Sequence, residues 1–194
     1  MKIPLSFQKT NYDCGTVSLT NAISYLFERE EIPPEIIKGI SLFSLDRYDE
    51  KGNVSQGGTS RESISLITNW LNNYAETKNF NLICEKLTGK EVTISKIKSC
   101  IDNKGVILVR LWQGVQHYAI ITNIDKDRVY LFDPYYLDKN YYDDDSEIKM
   151  IFNKPFSYNR SVSKKRLMSK SEKDFSLGKI KTRECVLISK KWFS

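Results

Sequence analysis

Histidine is nearly missing from this 194-residue chain, which contains one, His117. A lone imidazole cannot build a histidine-rich metal centre. The four cysteines, Cys14, Cys84, Cys100 and Cys185, include no C-x-x-C pair. A zinc site is therefore not expected. No apolar run reaches the length of a membrane span. Met1 to Leu5 lead straight into polar sequence, without the apolar stretch of a signal peptide. The expected compartment is the reducing cytoplasm of a soluble protein, with its thiols free. Internal repeats, low-complexity tracts and a clear interdomain linker are also lacking.

What is there is ordinary in amount. Apolar residues make up 40% of the chain and charged residues 28%, the proportions of a soluble globular protein. Thirty basic residues are offset by 24 acidic ones, for a net charge of +6. With no basic and aromatic recognition motif, that bias reads as a solvated basic loop, and no nucleic-acid partner is expected. The length predicts one domain over 1–194, with a helical part over about 1–104 and a sheet part over about 105–194.

Periodicity supplies the elements. Thr16 to Phe27 carries Leu19, Ala22 or Ile23, and Leu26 or Phe27 on one side, the spacing of a buried helical stripe. Pro33 and Pro34 stop it. Glu35 to Leu45 reads as a short helix weakened by Gly39, and Asp46 to Ser60 as a long polar loop of the kind that carries function. Thr59 or Ser60 is placed to cap a helix bearing Ile64, Ile67, Leu71 and Tyr74. Phe80 to Leu87 reads as a strand and Thr93 to Asn103 as a helix ended by Gly105. Three β-rich runs follow, Val106–Trp112, Gln116–Ile124 and Arg128–Phe132, joined by turns so short that the strands must be antiparallel. Residues 157–179, with their basic stretch Lys164-Lys165-Arg166, read as mostly exposed and mobile, and Glu184 to Lys190 as a last strand closing the sheet.

Against this background one constellation stands out. Cys14 opens the first helix, where free amide groups and the helix dipole favour a thiolate over a thiol. His117 lies near the start of one strand and Asp133 just past the end of the next, at one end of an antiparallel pair. A nucleophile, a base and a carboxylate able to orient the base are thus all present. Gln8 and the main-chain amide of Cys14 are candidates for receiving an oxyanion. Gly15 leaves room for substrate beside the sulfur. Trp112 and Tyr118 read as packing residues that also stand as candidates for lining a cleft. No metal or organic cofactor is needed for such chemistry.

Gln8, Asp13-Cys14-Gly15, His117-Tyr118 and Asp133-Pro134 resemble the papain-like cysteine peptidases, in particular the bacteriocin-processing family that removes double-glycine leader peptides. The resemblance covers residues 5 to 27 and 105 to 135. It implies an α+β papain-like fold, with helices packed on a mainly antiparallel sheet, and a bacterial hydrolase. In this family the glutamine helps bind the oxyanion, the cysteine attacks, the histidine is the base and the aspartate orients it. Those roles fall on Gln8, Cys14, His117 and Asp133, with a peptide or protein as substrate. Familiar members are fused to transporter domains. Here no membrane span and no Gly-Lys-Ser or Gly-Lys-Thr phosphate loop is found, which predicts a free-standing enzyme. The resemblance implies processing of a leader peptide; the stretch between Cys14 and His117 is longer than usual and the tail after Asp138 has no counterpart, so cleavage after a double glycine itself does not carry over directly. Acyl transfer to an amine by the same cysteine, or non-catalytic peptide binding, are the alternative readings.

Overall fold

The structure is a computed structural model and describes residues 1–53 and 56–191. Two residues of the predicted 46–60 loop, 54 and 55, lie outside the described residues.

The described residues form five α-helices and seven strands, three helices preceding the first strand and five strands following one another after the fourth helix, and every strand pairing among them is antiparallel. The first helix, α1 (Cys14–Leu26), buries Leu19, Ala22, Ile23 and Leu26, the expected stripe. It also buries Ser18 and Asn21, whose polar groups are satisfied by bonds to the main chain of Tyr118 and Ser6. Pro34 opens α2 (Pro34–Phe43) at the position where its missing N–H costs nothing. Gly39 sits inside this helix rather than ending it. A Cβ there would lie 2.3 Å from the ring of Trp70, so the glycine lets α2 approach α3 (Arg61–Thr77) closely. Ser60 caps α3, its hydroxyl accepting from Ser63 N at 2.9 Å, and Thr93 caps α4 (Ile94–Asp102) in the same way.

The strands are β1 (Ile83–Thr88), β2 (Val106–Gln113), β3 (Val115–Ile124), β4 (Arg128–Phe132), β5 (Ile148–Met150), β6 (Arg160–Ser163) and β7 (Glu184–Ser189). They form one sheet in the order β1-β7-β2-β3-β4-β6-β5. Successive side chains of a strand point to opposite faces. Val106 and Leu108 pack with Ile120, Val186 and the α1–α3 residues Ile23, Ile40 and Ile67. Ile107, Val109 and Leu111 pack on the other face with Ile121, Leu131, Ile97 of α4, Leu167 and Phe175. The sheet is thus covered on both sides, which is why its central strands read as nearly continuous apolar runs.

The last strand forms as expected and completes the sheet from its interior, hydrogen-bonded to β1 on one side and β2 on the other. One expectation needs correction: 157–179 is not a solvated loop. It contains β6 and a one-turn helix, α5 (Lys164–Leu167), and it buries Arg160, Val162, Leu167, Phe175 and Leu177. Its basic stretch is held as well: Arg166 pairs with Asp145 at 2.8 Å and Glu147 at 3.0 Å. Among the described residues no helix is long and apolar enough to cross a membrane.

Candidate active site

Cys14 is the first residue of α1 and is buried. Asp13 occupies the cap position but makes no side-chain bond to the helix. Its carboxylate instead accepts from Lys9 N, Thr10 N and the Thr10 hydroxyl, folding the 8–13 segment back on itself. The helix start is therefore left uncapped by a side chain, and main-chain groups of Gly15 and Tyr118 stabilise the Cys14 sulfur.

His117, the third residue of β3, is buried at 5% exposure and pairs across the sheet with Leu111. Its Nε2 lies 2.7 Å from Asp133 Oδ1. An ionised carboxylate only accepts, so Nε2 carries the proton and Nδ1 is the nitrogen left for Cys14. Asp133, just past β4, is fully buried. Oδ1 also accepts from Tyr135 N at 2.9 Å, and Oδ2 accepts from Gln113 Nε2 at 3.0 Å. The main chain of Asp133 is clamped by Asn159, whose Oδ1 accepts from Asp133 N at 2.8 Å while its Nδ2 donates to the Asp133 carbonyl at 2.7 Å. Behind the carboxylate lies Arg160, itself 1% exposed, with Nε 3.8 Å from Asp133 Oδ2 and its Nη groups donating to the carbonyls of Asn159 and Tyr135.

These positions set the protonation states. Burial alone would raise the Cys14 thiol, but the hydrogen bond and charge of His117 outweigh it and hold the thiol below its ordinary value. Burial would likewise discharge His117, yet Asp133 and Cys14 raise it to about 10. Asp133 stays below the usual carboxylate range despite complete burial, because His117 and Arg160 face it. The favoured state is a thiolate–imidazolium pair backed by a carboxylate. Cys84, Cys100 and Cys185 have no such partners; burial pushes them up to about 12, 11 and 12. All four thiols are free.

The other expected residues are distributed unequally. Gln8 lines an open cleft of about 340 Å³ together with His117, Gln113, Tyr135, Tyr142 and Asp174. One amide N–H of Gln8 is taken by the Thr10 carbonyl at 2.7 Å and its main chain by the Pro134 carbonyl, while its buried Oε1 has no partner. Gly15 does not open space for substrate. A Cβ there would lie 2.6 Å from Thr59 Oγ1, so the glycine admits the 46–60 loop instead. Tyr118 is not in the cleft either: it is 3% exposed, and its hydroxyl donates to Glu184 at 2.6 Å, which in turn pairs with Arg61 and Lys86. Trp112 is half-buried against the 175–178 segment, its main chain bonded to Ser176 and Phe175.

Gln113, Asn159 and Arg160 are site residues the sequence reading missed. For Gln113 a signal existed, because the short Gln113-Gly114 turn places it at the same sheet end as His117. Asn159 and Arg160 carry no such signal, since β6 is too short to show periodicity. Among the described residues there is no cluster of three histidine, cysteine or acidic side chains able to hold a metal.

A profile for the "Peptidase_C39 like family" matches residues 1–165. No curated protein matches the chain. Among solved structures, a double glycine motif protease from an AMS/PCAT transporter, in complex with the leader peptide, aligns with a TM-score of 0.48 at 11% identity, covering 98% of this chain and 93% of that one. The peptidase domain of Streptococcus ComA, a bifunctional ABC transporter involved in a quorum sensing pathway, aligns with a TM-score of 0.48 at 14% identity, covering 97% and 98%.

Proposed function

The chain belongs to the Peptidase_C39 like family, and from that premise we propose that it is a cysteine peptidase using Cys14, His117 and Asp133. The observation that carries this reading is the buried line of three side chains, with the His117 ring between the Cys14 sulfur and the Asp133 carboxylate.

In this mechanism the Cys14 thiolate attacks the carbonyl carbon of a peptide bond. The carbonyl oxygen takes up negative charge and is met by main-chain N–H at the start of α1 and by the second amide proton of Gln8. His117 then passes its Nδ1 proton to the departing amine, and an acyl group remains on the sulfur. Water, deprotonated by the now neutral imidazole, attacks the thioester and restores the thiolate–imidazolium pair. Asp133 fixes the ring and its tautomer throughout. Gln113, Asn159 and Arg160 act one step further back, holding Asp133 ionised and in place. The substrate in this reading is a peptide or protein segment laid across the open cleft.

The test is brief labelling with limiting iodoacetamide at mildly acidic pH, read by mass spectrometry. Selective modification of Cys14 in the wild type, lost in His117→Ala, is the expected result. Slow and equal labelling in both proteins would defeat the proposal.

A further inference from the structure

The cleft beside His117 has a chemistry of its own. Besides His117 its one charged lining residue is Asp174; the remaining wall is amide, aliphatic (Val115 and Leu137) and aromatic, with Tyr135, Tyr141 and Tyr142 prominent. No arginine or lysine forms an ion pair with Asp174 among the described residues, although the chain as a whole is basic. Arg166 donates to the main-chain carbonyl of Asp174, but its ion pairs are with Asp145 and Glu147. Neutral donors hold the carboxylate in place: Gly114 N–H donates to Oδ1 at 3.1 Å and the Tyr142 hydroxyl to Oδ2 at 2.9 Å. The next residue, Phe175, is fully buried and its N–H donates to the Trp112 carbonyl at 2.7 Å, so Asp174 cannot swing away. A fixed carboxylate without a cation, flanked by exposed tyrosine faces, is a receptor for a basic side chain.

Position decides which side of the scissile bond that side chain occupies. His117 must hand its proton to the departing amine, and His117 lines this cleft while Cys14 does not. The space therefore receives the part of the substrate that leaves with the amine. We propose that the cleft is a leaving-group subsite in which Asp174 selects an arginine or lysine on the C-terminal side of the scissile bond. This rests on the peptidase reading above and adds a substrate class to it.

Amine capture reads this subsite directly. Incubation with p-nitrophenyl acetate acetylates Cys14 with release of p-nitrophenolate, with Cys14→Ala as the blank. Argininamide, norleucinamide or glutamic acid amide then competes with water for the thioester. The α-amine forms an amide bond as the carbon–sulfur bond breaks and gives up its proton to His117. Capture by argininamide on the order of tenfold better than by norleucinamide, with glutamic acid amide weakest, is expected. That preference should collapse towards unity in Asp174→Asn, an isosteric change that keeps an acceptor for Gly114, and persist in Asp174→Glu. Equal capture of the three amides by the wild type, or an unchanged preference in Asp174→Asn, would overturn the subsite while leaving the peptidase intact. Absence of acetylation at Cys14 would remove the peptidase reading, and the subsite with it.

Discussion

Cys14 and Cys84 are both buried thiols, yet the structure treats them oppositely. Cys84 lies in β1, its main chain bonded to the Asn72 amide, and burial is the single cause of its rise to about 12. Cys14 suffers the same desolvation but meets an imidazole, and ends below the ordinary thiol value. Burial by itself makes a thiol inert. A charged partner placed in the same dry surroundings reverses the effect, because attraction between opposite charges is stronger where water is excluded. The comparison also explains why counting cysteines says little about reactivity, whereas counting histidines says a good deal.

The strongest way to break the comparison is to delete each sulfur in turn. Under the proposed mechanism Cys14→Ala lowers hydrolysis of a peptide ester by at least about a thousandfold, while Cys84→Ala stays within about twofold of wild type in the same assay. Removal of the partner rather than the sulfur comes next. His117→Ala should slow alkylation of Cys14 at mildly acidic pH on the order of a hundredfold and leave Cys84 as slow as before. Asp133→Asn sharpens the point further. Without the carboxylate the His117 value drops from about 10, so the alkaline limb of a pH–labelling profile should move to lower pH.

Stability follows the same logic with its own sign. His117 is raised in the folded state from about 6.5 in an unfolded chain. Its contribution is therefore complete below about pH 6.5 and fades as pH rises to about 10. Asp133 is lowered, so its contribution is present above about pH 3.9 and is lost on acidification through its depressed value. Chemical denaturation across this range should show both limbs, and His117→Ala should flatten the alkaline one. Arg160→Met leaves the buried Asp133 short of one positive neighbour and should cost about 3 kcal/mol by the same measurement. The smallest effect is that of Cys84→Ala on stability, about 1 kcal/mol.

Much of this was legible in the sequence where a pattern is long or a residue rare. The Ile64, Ile67 and Leu71 stripe, the Ser60 and Thr93 caps and the hairpins after Val106 all show their period or their turn within a few residues, and each element formed within a few residues of its expected bounds. The single histidine pointed to a site because nothing competed with it, and the strand register does bring His117 to Asp133. The segment between Pro134 and β7 was not legible. Strands of three and four residues cannot display alternation, and a buried arginine looks like any surface arginine until its carboxylate, far away in sequence, is known. Tyr118 is the packing residue it reads as, not a cleft residue. Neighbours on a strand face opposite ways, so Tyr118 turns away from the side of His117 and its hydroxyl donates to Glu184 on β7.

The interior position of β7 has a temporal side. Among the described residues, 184–189 supply the one sheet neighbour of β1 and one of the two neighbours of β2. During synthesis from the N-terminus, the segments bearing Cys14, His117 and Asp133 all emerge before this strand does. Until it slots in, β1 has no strand partner and β2, on which α1 packs together with β3, keeps one open edge. Pairing across such a distance in sequence is slow to form, so completion of this sheet waits on β7 inserting between β1 and β2.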